Sequence, residues 1–199
     1  MPANRDNEPQ HYFTLDEYFA LEHAGNARYE YWDGDIVCMS GGSRADGRIV
    51  GNVFFRLSTL TRGTSCQAFT GDIAIKTPSV PPYRYPDASV GCGELRFETI
   101  RGVDSLLNPV LIVEVLSPTT QSLDREAKFA AYKAIETFSE YLLVSQDSPG
   151  VSHHVRQADG SWSTEHVSNL NGVIDLKSIG GSMGLADIYE QVTFTTVSE

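Results

Sequence analysis

The chain has 199 residues, and 41% of them are hydrophobic, which is enough to form the core of one compact domain. Its formal net charge of −11 argues against the extended basic surface of a tight nucleic-acid binder, although bound cations offset clustered carboxylates. No segment approaches the ~18 apolar residues of a membrane span, and no signal peptide is evident, so we expect a cytoplasmic protein. We interpret residues 1–10 as a flexible leader and residues 11–199 as a single domain.

The predicted elements alternate between helices and strands along the chain. A capping box formed by Thr14 and Glu17 begins the first helix, which ends near Ala24. The pair Asp33-Gly34 separates two short strands and predicts a tight β-hairpin. Hydrophobic periodicity predicts the later elements, which are an amphipathic helix at 46–61, strands at 65–76, 85–90 and 110–116, a helix at 123–137, a strand at 140–145, a hairpin around Asp159-Gly160 and a short helix at 185–190. This order is typical of a mixed α/β domain.

The cysteines and the paired histidines carry no clear signal of a binding site. Cys38, Cys66 and Cys92 are odd in number and irregularly spaced, so we interpret them as ordinary reduced residues. His153 and His154 are adjacent, and on a strand they would point to opposite faces. We therefore expect them on a solvent-facing edge strand and not around one metal ion.

The most informative residue is Glu114, which interrupts an otherwise apolar run. Residues 110–116 predict a buried central strand, where a carboxylate costs several kcal/mol unless it is paired, protonated or bound to a metal. Asp87 is a second acidic residue in a strand of small or apolar residues. On neighbouring strands and facing one way, the two carboxylates would form a site for Mg²⁺ or Mn²⁺. The alternative is that each carboxylate is solvated at a strand end or salt-bridged.

The helix predicted after Glu114 presents Asp124, Lys128 and Tyr132 along one face, because they are spaced at i, i+4 and i+8. A lysine on the face nearest Glu114 would hold an attacking water or stabilise the negative charge of a phosphorane. The alternative is an exposed lysine in an ion pair with Asp124, which contributes only tenths of a kcal/mol.

The stretch Pro86-Asp87, followed after 26 residues by Glu114-Val115-Leu116, resembles the PD-(D/E)XK signature of restriction-endonuclease-like nucleases. Over about residues 12–190 the chain also resembles the Uma-type family, whose members are described as putative restriction endonucleases. The segments that carry this second resemblance are Phe13–Tyr18, Arg28-Tyr29-Glu30, Asp33-Gly34, Pro86–Val90, Val113–Thr120, Asp124 with Lys128, and Glu140-Tyr141.

The resemblance implies a restriction-endonuclease-like α/β fold, in which a central mixed β-sheet is flanked by helices and carries β-hairpin additions. It implies that Asp87 and Glu114 bind Mg²⁺ or Mn²⁺ and that Lys128 acts in catalysis. Glu30 would be a further acidic contributor, and Tyr132 would orient the lysine. The implied function is hydrolysis of phosphodiester bonds in nucleic acid, above all DNA. Because cutting two strands favours two copies of a site, we also expect a homodimer.

Two positions depart from the family pattern. Strand alternation places Leu116 on the Glu114 face, where the superfamily has its lysine, and the family is thought to supply that lysine from the following helix. Asp46 stands where the family pattern favours a histidine. With the acidic composition, these departures leave a second hypothesis, a nuclease fold that acts as a binding or regulatory module without catalysis. A phosphoesterase for small nucleotides is a third hypothesis, and it would need a closed pocket.

Overall fold

The computed structural model describes residues 12–25, 27–39, 42–79, 82–116 and 123–194. The chain divides after Gly41 into two compact units. The leader expected at residues 1–10 lies outside the described part, as do Ser117–Thr120 of the family-like segment. The single domain expected over residues 11–199 stays a prediction.

The first unit contains a helix and a hairpin, which are α1 (Leu15–His23), β1 (Tyr29–Trp32) and β2 (Asp35–Cys38). The capping box is confirmed, because Glu17 N donates to Thr14 Oγ1 at 3.3 Å and Thr14 N donates to Glu17 Oε2 at 2.7 Å. The hairpin is also confirmed, and Asp33-Gly34 adopts positive φ angles of 47° and 98° at its turn. Tyr18 Oη donates to Tyr29 O at 3.0 Å and joins the helix to the hairpin.

The second unit contains three sheets and the remaining helices. Its elements are α2 (Arg44–Thr61), β3 (Cys66–Thr70), β4 (Ala74–Lys76), β5 (Tyr83–Arg84), β6 (Ala88–Cys92), β7 (Phe97–Ile100), β8 (Val103–Leu106), β9 (Pro109–Leu116), a π-helical segment (Leu123–Lys128), α3 (Phe129–Lys133), β10 (Glu140–Ser145), β11 (Val151–Arg156), β12 (Trp162–Val167), β13 (Val173–Leu176), a 3₁₀ turn (Lys177–Ile179), β14 (Gly181–Gly184) and α4 (Leu185–Ile188).

The central sheet has six strands in the order β12-β11-β10-β9-β6-β3. Strands β9 and β10 are parallel and the other neighbours are antiparallel, so the sheet is mixed. A four-stranded sheet, β5-β4-β8-β7, and the two-stranded sheet of β13 and β14 are added to it. The predicted mixed α/β architecture is therefore confirmed. Within the described residues, no helix is both long enough and apolar enough to cross a membrane.

The central strand β9 separates two apolar cores. Leu111, Val113 and Val115 pack in one core with the buried side of α2, whose spacing follows the helical period. Ile112 and Leu116 point the other way and pack in a second core with residues of α3. Strand alternation consequently turns Glu114, which lies between Val113 and Val115, toward α3.

Three predicted elements differ in extent. The strand expected at 65–76 is two strands in different sheets, because Ile73 N donates to Thr70 O at 3.2 Å and turns the chain between them. The strand expected at 85–90 begins only at Ala88, after Pro86, which has no N–H to donate to a ladder. The helix expected at 123–137 ends at Lys133, and short turns then lead into β10.

The interpretation of all three cysteines as reduced is wrong for two of them. Cys66 and Cys92 are direct partners in the antiparallel pair of β3 and β6, with Cα atoms 3.9 Å apart, and they form a disulfide. Cross-strand register brings them together, and register is not visible in sequence spacing. Cys38 stays outside this bond and is exposed.

Candidate active site

Glu114 is buried in the middle of β9 and accepts hydrogen bonds at both carboxylate oxygens. Lys128 Nζ donates to its Oε2 at 3.1 Å, and Tyr132 Oη donates to its Oε1 at 3.1 Å. Only 1% of Lys128 is exposed, so the alternative of a solvent-exposed lysine is wrong. The buried carboxylate therefore has a charged partner and a neutral donor, as its position in a central strand requires.

The segment after β9 places the lysine and the tyrosine. Lys128 is the last residue of the π-helical segment, and Tyr132 follows one turn later in α3, so both side chains reach the same face of the sheet. Wide π-helical turns of this kind are frequent at functional sites. Lys128 Nζ also approaches the carbonyl oxygen of Tyr85 at 3.4 Å, which links the helix to the segment before Asp87. The Asp124 side chain lies outside the described part of the chain.

Asp87 directly precedes the neighbouring strand β6 and is hydrogen-bonded to the backbone of β9 beside Glu114. Its backbone N donates to Val113 O at 3.1 Å, and its Oδ2 accepts from Val115 N at 2.6 Å. Asp87 thus bonds to the residues immediately before and after Glu114. A carboxylate that accepts from a backbone N–H is fixed in orientation, because the donor cannot rotate away.

The structure consequently brings together three of the four predicted catalytic residues, Asp87, Glu114 and Lys128, with Tyr132 beside them. Glu30 is in the first unit, where it is buried and accepts from Trp32 Nε1 at 3.2 Å. Its contribution to the same site stays a prediction.

The two departures from the family pattern have different surroundings. Leu116 is buried in the apolar core that includes Phe129, so packing occupies the place where the superfamily has its lysine. Asp46 lies in the first turn of α2, and its backbone N donates to Ser43 Oγ at 3.0 Å. Burial raises the pKa of Asp46 above its ordinary value. Its carboxylate lies against Gly42, where the Cβ of any larger residue would collide with it.

Ser89 is a buried residue that the sequence interpretation missed. It pairs with Ile112 in the register of β6 and β9, so its side chain lies on the Glu114 face of the sheet. Its hydroxyl is buried and has no hydrogen-bond partner within the described residues. The sequence signal was its place as the polar member of an otherwise apolar strand, Ala88-Ser89-Val90.

The donor set fits a small divalent cation. Mg²⁺ is usually held by one or two carboxylates and keeps several waters, so Asp87 and Glu114 would be enough protein ligands for it. The described residues contain no group of three His, Cys, Asp or Glu side chains placed to bind one ion. The Ser89 hydroxyl offers a hydrogen-bond partner to a water on the same face.

A second buried polar cluster surrounds Glu140 at the start of β10, on the α2 side of the sheet. Its Oε1 is hydrogen-bonded to His153 Nε2 at 3.1 Å and accepts from Lys177 N at 3.0 Å. Its Oε2 accepts from Ser178 N at 2.9 Å and from the Ser178 hydroxyl. Burial alone would raise the pKa of Glu140, but the hydrogen bonds from His153 and Ser178 outweigh it and lower the pKa. Glu140 therefore fastens the 3₁₀ turn to the sheet.

The expectation for the histidine pair is half right. His153 and His154 do point to opposite faces, but β11 is an internal strand between β10 and β12 and not an edge. His153 is buried against Glu140, and His154 lies with its ring centroid 4.8 Å from that of Phe129. The hairpin of β11 and β12 around Asp159-Gly160 was predicted, but the pairing of β11 with β10 on its other side was not.

Replacing Glu140 with glutamine is expected to lower the free energy of unfolding by about 2–4 kcal/mol near pH 7, because buried donors lose a charged acceptor. The lowered folded-state pKa means that this stability is present above the ordinary value of 4.5 and is lost as the pH falls through the folded-state pKa. Urea unfolding at pH 7 and at pH 3 measures the difference, with exposed Glu190→Gln as control. A difference of the same size at both pH values would contradict this account.

Comparison with known proteins identifies the family of this chain. The profile of the Uma2 family, described as "Putative restriction endonuclease", matches residues 15–186. The chain belongs to the Uma2 family. Two relatives of this Uma2 protein are uncharacterized proteins of Synechocystis sp. The first, slr1290, is 32% identical over 198 residues, which is 98% of this chain and 100% of that protein. The second, sll1609, is 28% identical over 162 residues, or 81% and 91% of the two chains.

A solved structure supports the fold of this Uma2 protein. The crystal structure of a putative nuclease of the DUF820 group from Anabaena variabilis has a TM-score of 0.69 to this chain, at 17% identity. The match covers 91% of this chain and 99% of the other. The predicted restriction-endonuclease-like fold is confirmed.

Proposed function

We propose that this Uma2 protein is a metal-dependent endonuclease that hydrolyses phosphodiester bonds in DNA. The observation that carries the proposal is the group formed by the half-buried Asp87 with the buried Glu114, Lys128 and Tyr132, in which a lysine from the following helix reaches the central carboxylate. The family description and the fold of the Anabaena protein point to the same reaction class. Asp87 and Glu114 would hold Mg²⁺ or Mn²⁺ and Glu30 would add a further carboxylate.

Each residue of the group has a separate task in this proposal. A divalent ion bound there would polarise the scissile phosphate and lower the pKa of a bound water. Lys128 offsets the negative charge that develops on the phosphate as the water oxygen attacks phosphorus and the P–O bond to the leaving oxygen breaks. Tyr132 donates to Glu114 and fixes its rotamer, while the Val115 N–H does the same for Asp87.

A second hypothesis, a binding or regulatory module without catalysis, draws on one feature of the same site. Both oxygens of Glu114 already accept hydrogen bonds, from Lys128 and from Tyr132. A carboxylate satisfied in this way is also what a purely structural ion pair would show. The two hypotheses differ in whether any phosphodiester substrate is cleaved.

Cleavage of three substrates separates the hypotheses. Purified protein is incubated at low salt with Mg²⁺ or Mn²⁺ and a supercoiled plasmid, a circular single-stranded DNA or a small chromogenic phosphodiester. Endonuclease activity predicts cleavage of a circular DNA, because a circle has no end from which to begin. Hydrolysis of the small diester alone would instead indicate a phosphoesterase for small nucleotides. An absence of cleavage throughout would favour the binding module.

A further inference from the structure

The outward side of α2 forms one wall of a large groove that none of the sequence motifs predicted. Residues 191–193 form the other wall, and the cavity between them has a volume of about 1100 Å³. The lining residues that matter below are Arg44, Arg48, Gly51, Asn52 and Phe55. Asn52 Nδ2 donates to Ile188 O and to Glu190 O, both at 2.9 Å, and so holds the chain before the second wall against the helix.

The groove is positively charged in an otherwise acidic chain. Residues 44–62 contain four arginines and one acidic residue, Asp46, which gives this segment a local charge of +3 in a chain of −11. Arg56 forms an ion pair with Asp187 on the side of the helix. Arg44 and Arg48 are exposed on the groove wall, one helical turn apart, and neither has an acidic partner within the described part of the chain.

An exposed aromatic ring continues the same wall. Phe55 is 65% exposed and lies seven residues after Arg48, which places it on the same helix face, about 10 Å further along the axis. Between them, a Cβ built on Gly51 would have no atom within 4 Å, so the helix backbone is open to close approach. The groove wall therefore presents, in order along the helix, two arginine side chains, the open backbone at Gly51 and the ring of Phe55.

One end of the groove lies at the end of the central sheet that carries Glu114, with α2 on the opposite face of the sheet from that side chain. Ser43, which caps α2, donates from Oγ to Gln146 Oε1 at 3.0 Å. Gln146 directly follows β10, whose residue Leu143 pairs with Glu114 in the parallel neighbour β9. The Arg44 end of the groove therefore lies at the sheet edge where β9 and β10 end, a few residues beyond Glu114.

We propose that this groove binds single-stranded nucleic acid, with Arg44 and Arg48 contacting backbone phosphates and Phe55 stacking on a base. The proposal rests on the proposed function, for which it supplies the substrate class. A polyanion matches the unpaired arginines, and positive grooves with aromatic platforms are the usual way to bind single strands. A duplex keeps its bases stacked, so it offers Phe55 no base face. The groove also gives a polyanion a local positive potential, although the net charge of the whole chain is −11.

Fluorescence anisotropy tests the proposal with a labelled 20-nucleotide single strand and the matching duplex. Binding is measured in EDTA, so that no cleavage occurs, and at several salt concentrations. The single strand is expected to bind more tightly than the duplex. Arg44→Gln/Arg48→Gln is expected to reduce the slope of log affinity against log salt by about 1.4, the value for two lost phosphate contacts on a single strand. The charge-matched control Arg62→Gln/Arg96→Gln, outside the groove, is expected to retain the parental slope.

Two further variants separate stacking and access from charge. Phe55→Ala is expected to weaken single-strand binding roughly 5- to 150-fold with an unchanged salt slope, because stacking releases no counterions. Gly51→Gln fills the open stretch of helix without a change of charge and is expected to abolish binding. This substitution raises helix propensity, so unfolding would not explain the loss.

Several results would overturn the proposal. They are equal affinity for single strand and duplex, unchanged binding by Phe55→Ala, or a loss of slope in the control as large as in Arg44→Gln/Arg48→Gln. If the parent is a dimer that the Phe55→Ala substitution converts to a monomer, and if no oligonucleotide binds, the groove is the contact surface for a second copy of the chain. Groove-dependent binding without cleavage in Mn²⁺ would contradict the nuclease and leave the groove intact. Cleavage at the parental rate by every groove variant would support the nuclease and contradict a role of the groove in binding its substrate.

Discussion

Replacing Lys128 with methionine is expected to lower the rate of phosphodiester cleavage by about 10²–10³-fold, the usual cost of removing one preorganised charge or donor from an active site. The reason is the position of its ammonium, which is buried and 3.1 Å from Glu114 Oε2. Single-turnover cleavage at saturating Mn²⁺ measures the effect on the chemical step directly.

The same helix supplies a matched control for this substitution. Lys133 is exposed, and its ammonium lies 4.0 Å from the centroid of the Phe129 ring, away from Glu114. Lys133→Met is therefore expected to cleave at the parental rate. Circular dichroism at the assay temperature shows whether each variant is folded. A folded Lys128→Met protein with the parental rate would remove the lysine from the mechanism.

Lys128→Met is also expected to lower the free energy of unfolding by about 3–5 kcal/mol, because it leaves Glu114 as a buried charge without its cation. The double variant Glu114→Gln/Lys128→Met is expected to recover much of this loss, since neither charge is then buried alone. The coupling free energy of the cycle is expected to be about 1–3 kcal/mol. Urea unfolding of the parent, the two single variants and the double variant measures it. Effects that add to within about 0.5 kcal/mol would mean that the pair is not energetically coupled.

The cleavage rate and the free energy of unfolding report different properties of the ion pair between Glu114 and Lys128. A structural ion pair would show the coupling in unfolding experiments and no effect on cleavage beyond that of stability. A catalytic lysine shows a loss of rate in protein that remains folded. The acidic chain can therefore be classified as nuclease or binding module from one set of variants.

The local parts of the fold were predictable because their signals lie within a few residues. Thr14 and Glu17 form the capping box directly, and Asp33-Gly34 forms a turn whose backbone angles few other residue pairs adopt readily. Glu114 could be singled out because an acidic residue inside an apolar run conflicts with burial. Lys128 and Tyr132 followed from helical spacing, and the π-helical segment that ends at Lys128 did not disturb their shared face.

The remaining features depend on contacts between distant segments. The disulfide of Cys66 and Cys92 depends on which strands pair and in what register, which spacing does not reveal. His153 is buried because β11 also pairs with β10, which brings its ring against Glu140, although its own neighbours look like an exposed strand. The α2 groove arises because residues 191–193 return to the helix from the far end of the chain. Periodicity predicts which face of an element is apolar, but not which other segment covers it.

Asp87 and Glu114 are proposed to form the metal site of a nuclease. The most direct test is the initial rate of plasmid cleavage in Mn²⁺ by the parent, Asp87→Asn and Glu114→Gln. Exposed Asp175→Asn serves as a control for the same chemical change. We expect the parent and the control to cleave only when Mn²⁺ is present, and both site variants to remain at background while folded. Cleavage by either site variant at the parental rate, or no cleavage by the parent, would contradict the claim.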